Sequence, residues 1–243
     1  MRIYSLSKRC AKEILRDPLN LMFGIGFPVV LLLLLSAIQA NVPVSLFEIE
    51  KLAPGITVFG LSFITLFSAT LIAKDRETSL LQRLYTTPLQ AIDYILGYML
   101  PILPIAIAQS GVCYLVAVIL GLEAKITVIY SILMILPISL LYVSLGLLCG
   151  SVFGVKQVGG ICGALLTNLS AWLSGVWFDL KLVGGAFERI ANMLPFVHAV
   201  EVERAVLSGS YGEILTHLLP VLIYAIAVTV LAIIMFLRQM KRQ

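Results

Sequence analysis

The chain has 243 residues, 60% of them hydrophobic and 12% charged, with a mean hydropathy of +1.04. A soluble domain carries about 25% charged residues, so this composition excludes a water-facing globule and defines a polytopic membrane protein. The formal charge of +4 gathers on the flanks of the apolar runs, where it favours anionic lipid headgroups rather than nucleic acid.

Residues 2–17 lay Ile3, Tyr4, Leu6, Cys10, Ala11, Ile14 and Leu15 on one half of a helical wheel and Lys8, Arg9, Lys12, Glu13 and Arg16 on the other. Such a segment, 1–17 in all, is expected to lie in the membrane interface. The apolar run that follows is longer than the hydrophobic core of a signal peptide and is expected to remain as a span.

Six runs are long enough to cross a bilayer: 18–40, 53–73, 94–120, 127–150, 158–178 and 215–237. None contains Asp, Glu, Lys or Arg, so no buried carboxylate for proton or sodium coupling is expected. Assigning the N-terminus, the loops 74–93 and 151–157 and the C-terminus to one side gives that side 12 of the 17 Lys and Arg residues, which makes it the cytoplasmic one. The four cysteines have no CxxC spacing and none falls in an outer loop, so no disulfide framework is implied.

Individual spans carry further detail. Gly24, Gly26 and Pro28 permit a kink in the first, and Pro101 and Pro104 do so in the third, with Gln109 and Ser110 one to two turns beyond. Gly146, Gly150 and Gly154, then Gly159 and Gly163, recur every four residues, which predicts close packing of spans four and five. Trp172 and Trp177 read as interface anchors.

The segment 179–214 predicts two short helices broken at Pro195 and ended at Ser208–Ser210, too short to span and therefore an outer or re-entrant helical hairpin. Within it His198, Glu201 and Glu203 invite a metal or hydrolase reading. One nearby histidine is too few for a catalytic metal, and Arg204 at i,i+3 from Glu201 favours an ion-paired, water-facing side.

The stretch 74–90, KDRETSLLQRLYTTPLQ, differs most from its surroundings. Leu80, Leu81, Leu84 and Tyr85 recur at helical spacing, Arg76, Glu77 and Arg83 supply charge, and Pro88 ends the helix near Tyr85. A short amphipathic helix between two spans must face water or a partner.

RETSLLQRLYTTPL at 76–89 resembles the cytoplasmic coupling segment of ABC-2 type transporter permeases, and LPFVHAVEVERAVLSG at 194–209 resembles that family's signature before the last span. The resemblance implies an all-α transmembrane subunit with six transmembrane helices. It also implies that the subunit dimerises, with itself or with a second permease, and exports substrate with energy from a separate ATPase present in two copies. The absence of GxxxxGK[ST] agrees that this chain holds no cofactor itself, ATP and Mg belonging to the partner. On this reading Arg76, Glu77, Leu80, Leu81, Arg83, Leu84, Tyr85 and Pro88 form the ATPase-docking surface. Cargo would be amphipathic, peptide, drug-like or lipid-linked. Two other classes remain open at this point, a membrane-embedded hydrolase centred on His198, Glu201 and Glu203, and a passive channel; the first lacks ionisable partners at membrane depth and the second a polar pore lining.

A substrate path should use spans that carry polar groups. Spans two and five qualify, through Thr57, Thr167, Asn168 and Ser170, with Phe63 and Phe67 as apolar walls; Asn168 would face either the path or a neighbouring helix of its own chain.

Overall fold

The computed structural model describes residues 2–43, 47–78 and 91–240 and is helical along most of them, with no strand among the described residues. Helix is the outcome that lipid imposes, because a helix satisfies its backbone polar groups within one segment. In chain order the elements are α1 (Arg2–Leu15), α2 (Met22–Asn41, entered through the turn Pro18–Leu21), α3 (Ile49–Glu77), α4 (Ala91–Met99) and α5 (Leu103–Ile119). Then come α6 (Ile126–Val152), α7 (155–173), α8 (Leu180–Val183), α9 (Gly185–Met193), α10 (Pro195–Ser208) and α11 (Tyr211–Met240).

Five of these segments are long and apolar enough to cross a membrane: Met22–Asn41, Ile49–Glu77, Asp93–Ile119, Ile126–Val152 and Tyr211–Arg238. Where the sequence predicts a sixth, at 158–178, helix runs only from Val155 to Leu173. At about 1.5 Å per residue it falls just short of the ~30 Å hydrocarbon layer. Its middle, Gly159–Leu166, is π-helical, and Thr167 Oγ1 donates to the Cys162 carbonyl at 2.8 Å across that wider turn. The expected break in the third span is present: α4 ends at Met99 and α5 restarts at Leu103, with Pro101 in the gap and Pro104 in the first turn.

α3 is the axis of the fold, buried along almost its whole apolar length, whereas α2 and α11 are peripheral and present most of their apolar surface outward. Close approach to α3 depends on glycine. A Cβ at Gly150 would lie 2.6 Å from the Ala69 carbonyl oxygen, and one at Gly146 would collide with Ser68 Oγ and lie 2.6 Å from the Thr65 carbonyl. Thr65 Oγ1 donates across this contact to the Tyr142 carbonyl at 2.8 Å. The Gly146 and Gly150 stripe of span four therefore packs on span two, correcting the expectation of span five. A small-residue repeat fixes how near a neighbour comes, not which neighbour it is.

α1 is shorter by two residues than predicted and docks more firmly than an interfacial helix alone. Leu6, Cys10 and Ile14, spaced by four, are buried; Leu6 fills the space that a side chain at Gly97 of α4 would need, and Ser7 Oγ donates to the Gly97 carbonyl at 3.3 Å. Tyr4 and Leu15 remain exposed on its flanks.

After α7 the chain makes α8, α9 and α10. Pro195 opens α10, and Gly209 closes it in a left-handed turn at φ 78°, as the sequence predicts. α10 packs against α3, α6 and α11, with Phe196, Val197, Val200 and Val206 buried.

Candidate functional site

The C-terminal end of α3 bears four consecutive charged residues, Lys74 to Glu77, of which Asp75, Arg76 and Glu77 are each joined to a different element. Asp75 is buried and accepts from Arg9 Nη2 at 2.5 Å, Arg9 Nη1 at 2.7 Å and the Tyr98 hydroxyl at 2.8 Å. This fork-to-fork pair, extended by Arg9 to Glu13 at 2.9 Å, fastens α1 and α4 to α3. The hydrogen bond with Asp75 raises the Arg9 pKa above its ordinary value. Arg76 Nη1 donates to the Gly150 carbonyl at 2.9 Å and to that of Ser151, placing a cation on the free carbonyls that end α6. Glu77 Oε1 accepts from the Val155 amide at 2.8 Å, placing an anion at the start of α7. Lys74 approaches Asp17 at 3.9 Å.

Of the predicted docking residues, Leu80, Leu81, Arg83, Leu84, Tyr85 and Pro88 lie outside the described residues. Arg76 and Glu77 lie within them, and both bond inside their own chain. The sequence missed Asp75 and Arg9 as a pair because 66 residues separate them. What it offered was a carboxylate adjoining an otherwise uncharged span.

The predicted path residues separate into two environments. Thr57 is buried in α3, donating to the Ala53 carbonyl at 2.7 Å, while Gln109 Nε2 donates to the Thr57 carbonyl at 3.2 Å. Phe63 packs edge-on against Phe27 and Phe59, and Phe67 occupies the space beside Gly24. On α7, Thr167 and Ser170 face inward, with Ser170 Oγ 3.4 Å from the Tyr142 hydroxyl. Asn168 is exposed, and its Nδ2 donates to the Ala164 carbonyl of its own helix at 2.8 Å. Asn168 thus makes no bond to a neighbouring helix of its own chain, and Leu165, Leu169 and Trp172 share its exposure.

In the segment before the last span, His198 Nδ1 lies 3.0 Å from His217 Nδ1, and Arg204 bonds Glu201 at 2.8 Å and the Gly175 carbonyl at 3.0 Å. Burial of His198 lowers its pKa. Glu203 departs from expectation: it is fully buried and accepts from the Tyr114 hydroxyl at 2.7 Å. The predicted Glu201–Arg204 ion pair is present, and of the predicted water-facing side only Glu203 is corrected, together with the expectation that the chain has no buried carboxylate. Glu203 stands three residues after Val200 and seven after Phe196, so the helical period alone assigns it to the apolar stripe. Among the described residues no group of three or more His, Cys, Asp or Glu is arranged to hold a metal.

Five membrane-length helices among the described residues, one of them a buried axis with a charged cluster at its end, define a multi-pass α-helical membrane protein. The family model for ABC-2 type transporters matches residues 1–208, and the chain belongs to that family, whose members are the membrane subunits of transporters. No curated protein matches the chain.

Proposed function

We propose that this chain is the permease subunit of an ATP-driven exporter in the cytoplasmic membrane, pairing with a second permease and with two copies of a separate ATPase that binds ATP and Mg. Both termini lie in the cytoplasm, and 155–173 serves as the sixth span, short enough to need local thinning of the bilayer. α9 and α10 form the hairpin, with α10 inserted among the spans. Amphipathic, peptide, drug-like or lipid-linked molecules are the cargo class.

The observation that carries this reading is the triple attachment of Asp75, Arg76 and Glu77 to α1, α6 and α7, immediately before the segment 79–90. A force applied to that segment is delivered at once to three helices rather than to one. Leu80, Leu81, Leu84 and Tyr85 supply the apolar anchors, Arg83 and Pro88 their frame, and Arg76 and Glu77 hold the base of the loop. Thr57, Phe63, Phe67, Thr167 and Ser170 line the inner wall of the path, with Asn168 at the seam between permeases.

Affinity capture of the tagged chain from its native membrane tests this. An ATPase of the ABC class is expected with the wild-type chain and not with the double variant Leu81→Asp, Leu84→Asp. Equal recovery with both would remove the docking assignment.

A further inference from the structure

Glu203 is the one carboxylate that α10 carries into the packed interior. Its Oε2 accepts the Tyr114 hydroxyl of α5 at 2.7 Å, and its Oε1 has no hydrogen-bond partner among the described residues. Among the described residues no cation pairs with it. Arg204, the next residue, is engaged with Glu201 and the Gly175 carbonyl. α6 carries no charged side chain, and its Tyr142 turns to Ser170. From α11, His217 is taken up by His198; from the start of α3, Lys51 pairs with Glu48. The other charges on these two helices, Glu213, Arg238, Glu50 and the cluster at residues 74–77, and Glu188 and Arg189 on α9, form no ion pair with Glu203.

An ionised carboxylate so placed would hold a full charge against one hydrogen bond, which costs far more than burying the neutral acid. Burial accordingly pushes the Glu203 carboxyl up to about 8, the Tyr114 hydroxyl pulling the other way.

We propose that Glu203 is a proton-binding site, protonated while α10 is docked on the bundle and deprotonated when α10 lifts away. On lifting, water reaches the carboxyl, the O–H bond breaks with its electron pair left on the carboxylate, and the proton passes to water; docking reverses the step. Opening of this part of the chain is therefore linked to release of one proton per subunit, and alkaline conditions favour it. The inference rests on the packing of α10 alone and holds whether or not an ATPase drives the chain.

Infrared titration of the full chain in lipid bilayers reads the site directly. The carbonyl stretch of a protonated carboxylic acid is expected at neutral pH, absent in Glu203→Gln, and bleaching near pH 8. In Tyr114→Phe, which loses the hydroxyl that favours the charged form, the same band should persist to higher pH. This arm decides the matter if the glutamine variant fails to fold. Hydrogen exchange of the α10 amides supplies the linkage. Relative to Glu203→Gln at each pH, wild-type exchange should rise by up to about tenfold per pH unit between about pH 5 and about pH 8. A carboxylate already ionised at neutral pH, or wild-type and glutamine profiles that run parallel, would overturn the proposal.

Discussion

Replacing Asp75 by Ala should release α1 from the bundle. The substitution removes three hydrogen bonds to a buried carboxylate, two from Arg9 and one from Tyr98. Bonds to a charged group contribute about 1.5–3 kcal/mol each, but Arg9 is 38% exposed, keeps Glu13 and can turn to water, so its share is reduced by screening. The Tyr98 hydroxyl, fully buried, would lose its acceptor at a cost of about 1–3 kcal/mol. Taking about 2 kcal/mol for the part that acts on α1 docking gives a rise of roughly 30-fold in the undocked fraction. Cys10 reports it. The thiol is wholly buried beneath α1, and burial, followed by the charge of Asp75, pushes its pKa up to about 12, so it is protected twice over in the docked state. Alkylation at Cys10, located by peptide mass, should accelerate by roughly that 30-fold factor in Asp75→Ala and by less in Asp75→Asn, which keeps an acceptor for Tyr98. An unchanged rate in the alanine variant would refute the fastening of α1 through Asp75.

Three further outcomes follow from the packing. Gly150→Ala should lower the melting temperature by several degrees, since its Cβ meets Ala69 backbone at 2.6 Å and overpacking costs about 1–3 kcal/mol, whereas Gly159→Ala, with nothing within 4 Å, should be neutral; equal melting of the two would contradict the α3–α6 contact. Asn168→Leu should fold and assemble normally, because the side chain is exposed and bonds only its own helix, yet impair transport; wild-type transport would count against a path at that seam. A carboxyl whose pKa is raised in the folded state stabilises that state fully below its ordinary value of about 4.3 and loses the contribution as pH rises through about 8. The wild-type melting temperature should therefore fall relative to Glu203→Gln across that window, and a constant difference would be the contrary result.

Five of the six expected spans and the break at Pro101 are legible because lipid demands length and apolarity, both local properties of the sequence. The cysteine-bearing face of α1 was equally readable from its period. What escaped were choices of partner. Gly146 and Gly150 announced a close neighbour, and only the assembled bundle identifies it as α3. Arg76 and Glu77 were visible as charges beside a loop, but their use on the α6 carbonyls and the α7 amide depends on helix ends brought together across more than 70 residues. Glu203 reads as water-facing from its acidity, although its spacing from Phe196 and Val200 puts it on the buried face of α10.

ATP hydrolysis by the captured complex, reconstituted in bilayers and screened against drugs, peptides and lipids, tests the central claim most directly. The account predicts that a cargo molecule raises hydrolysis when the chain is wild type, and that the response disappears in the Leu81→Asp, Leu84→Asp chain while the ATPase retains its own activity. The same cargo response from the ATPase without this chain would contradict it.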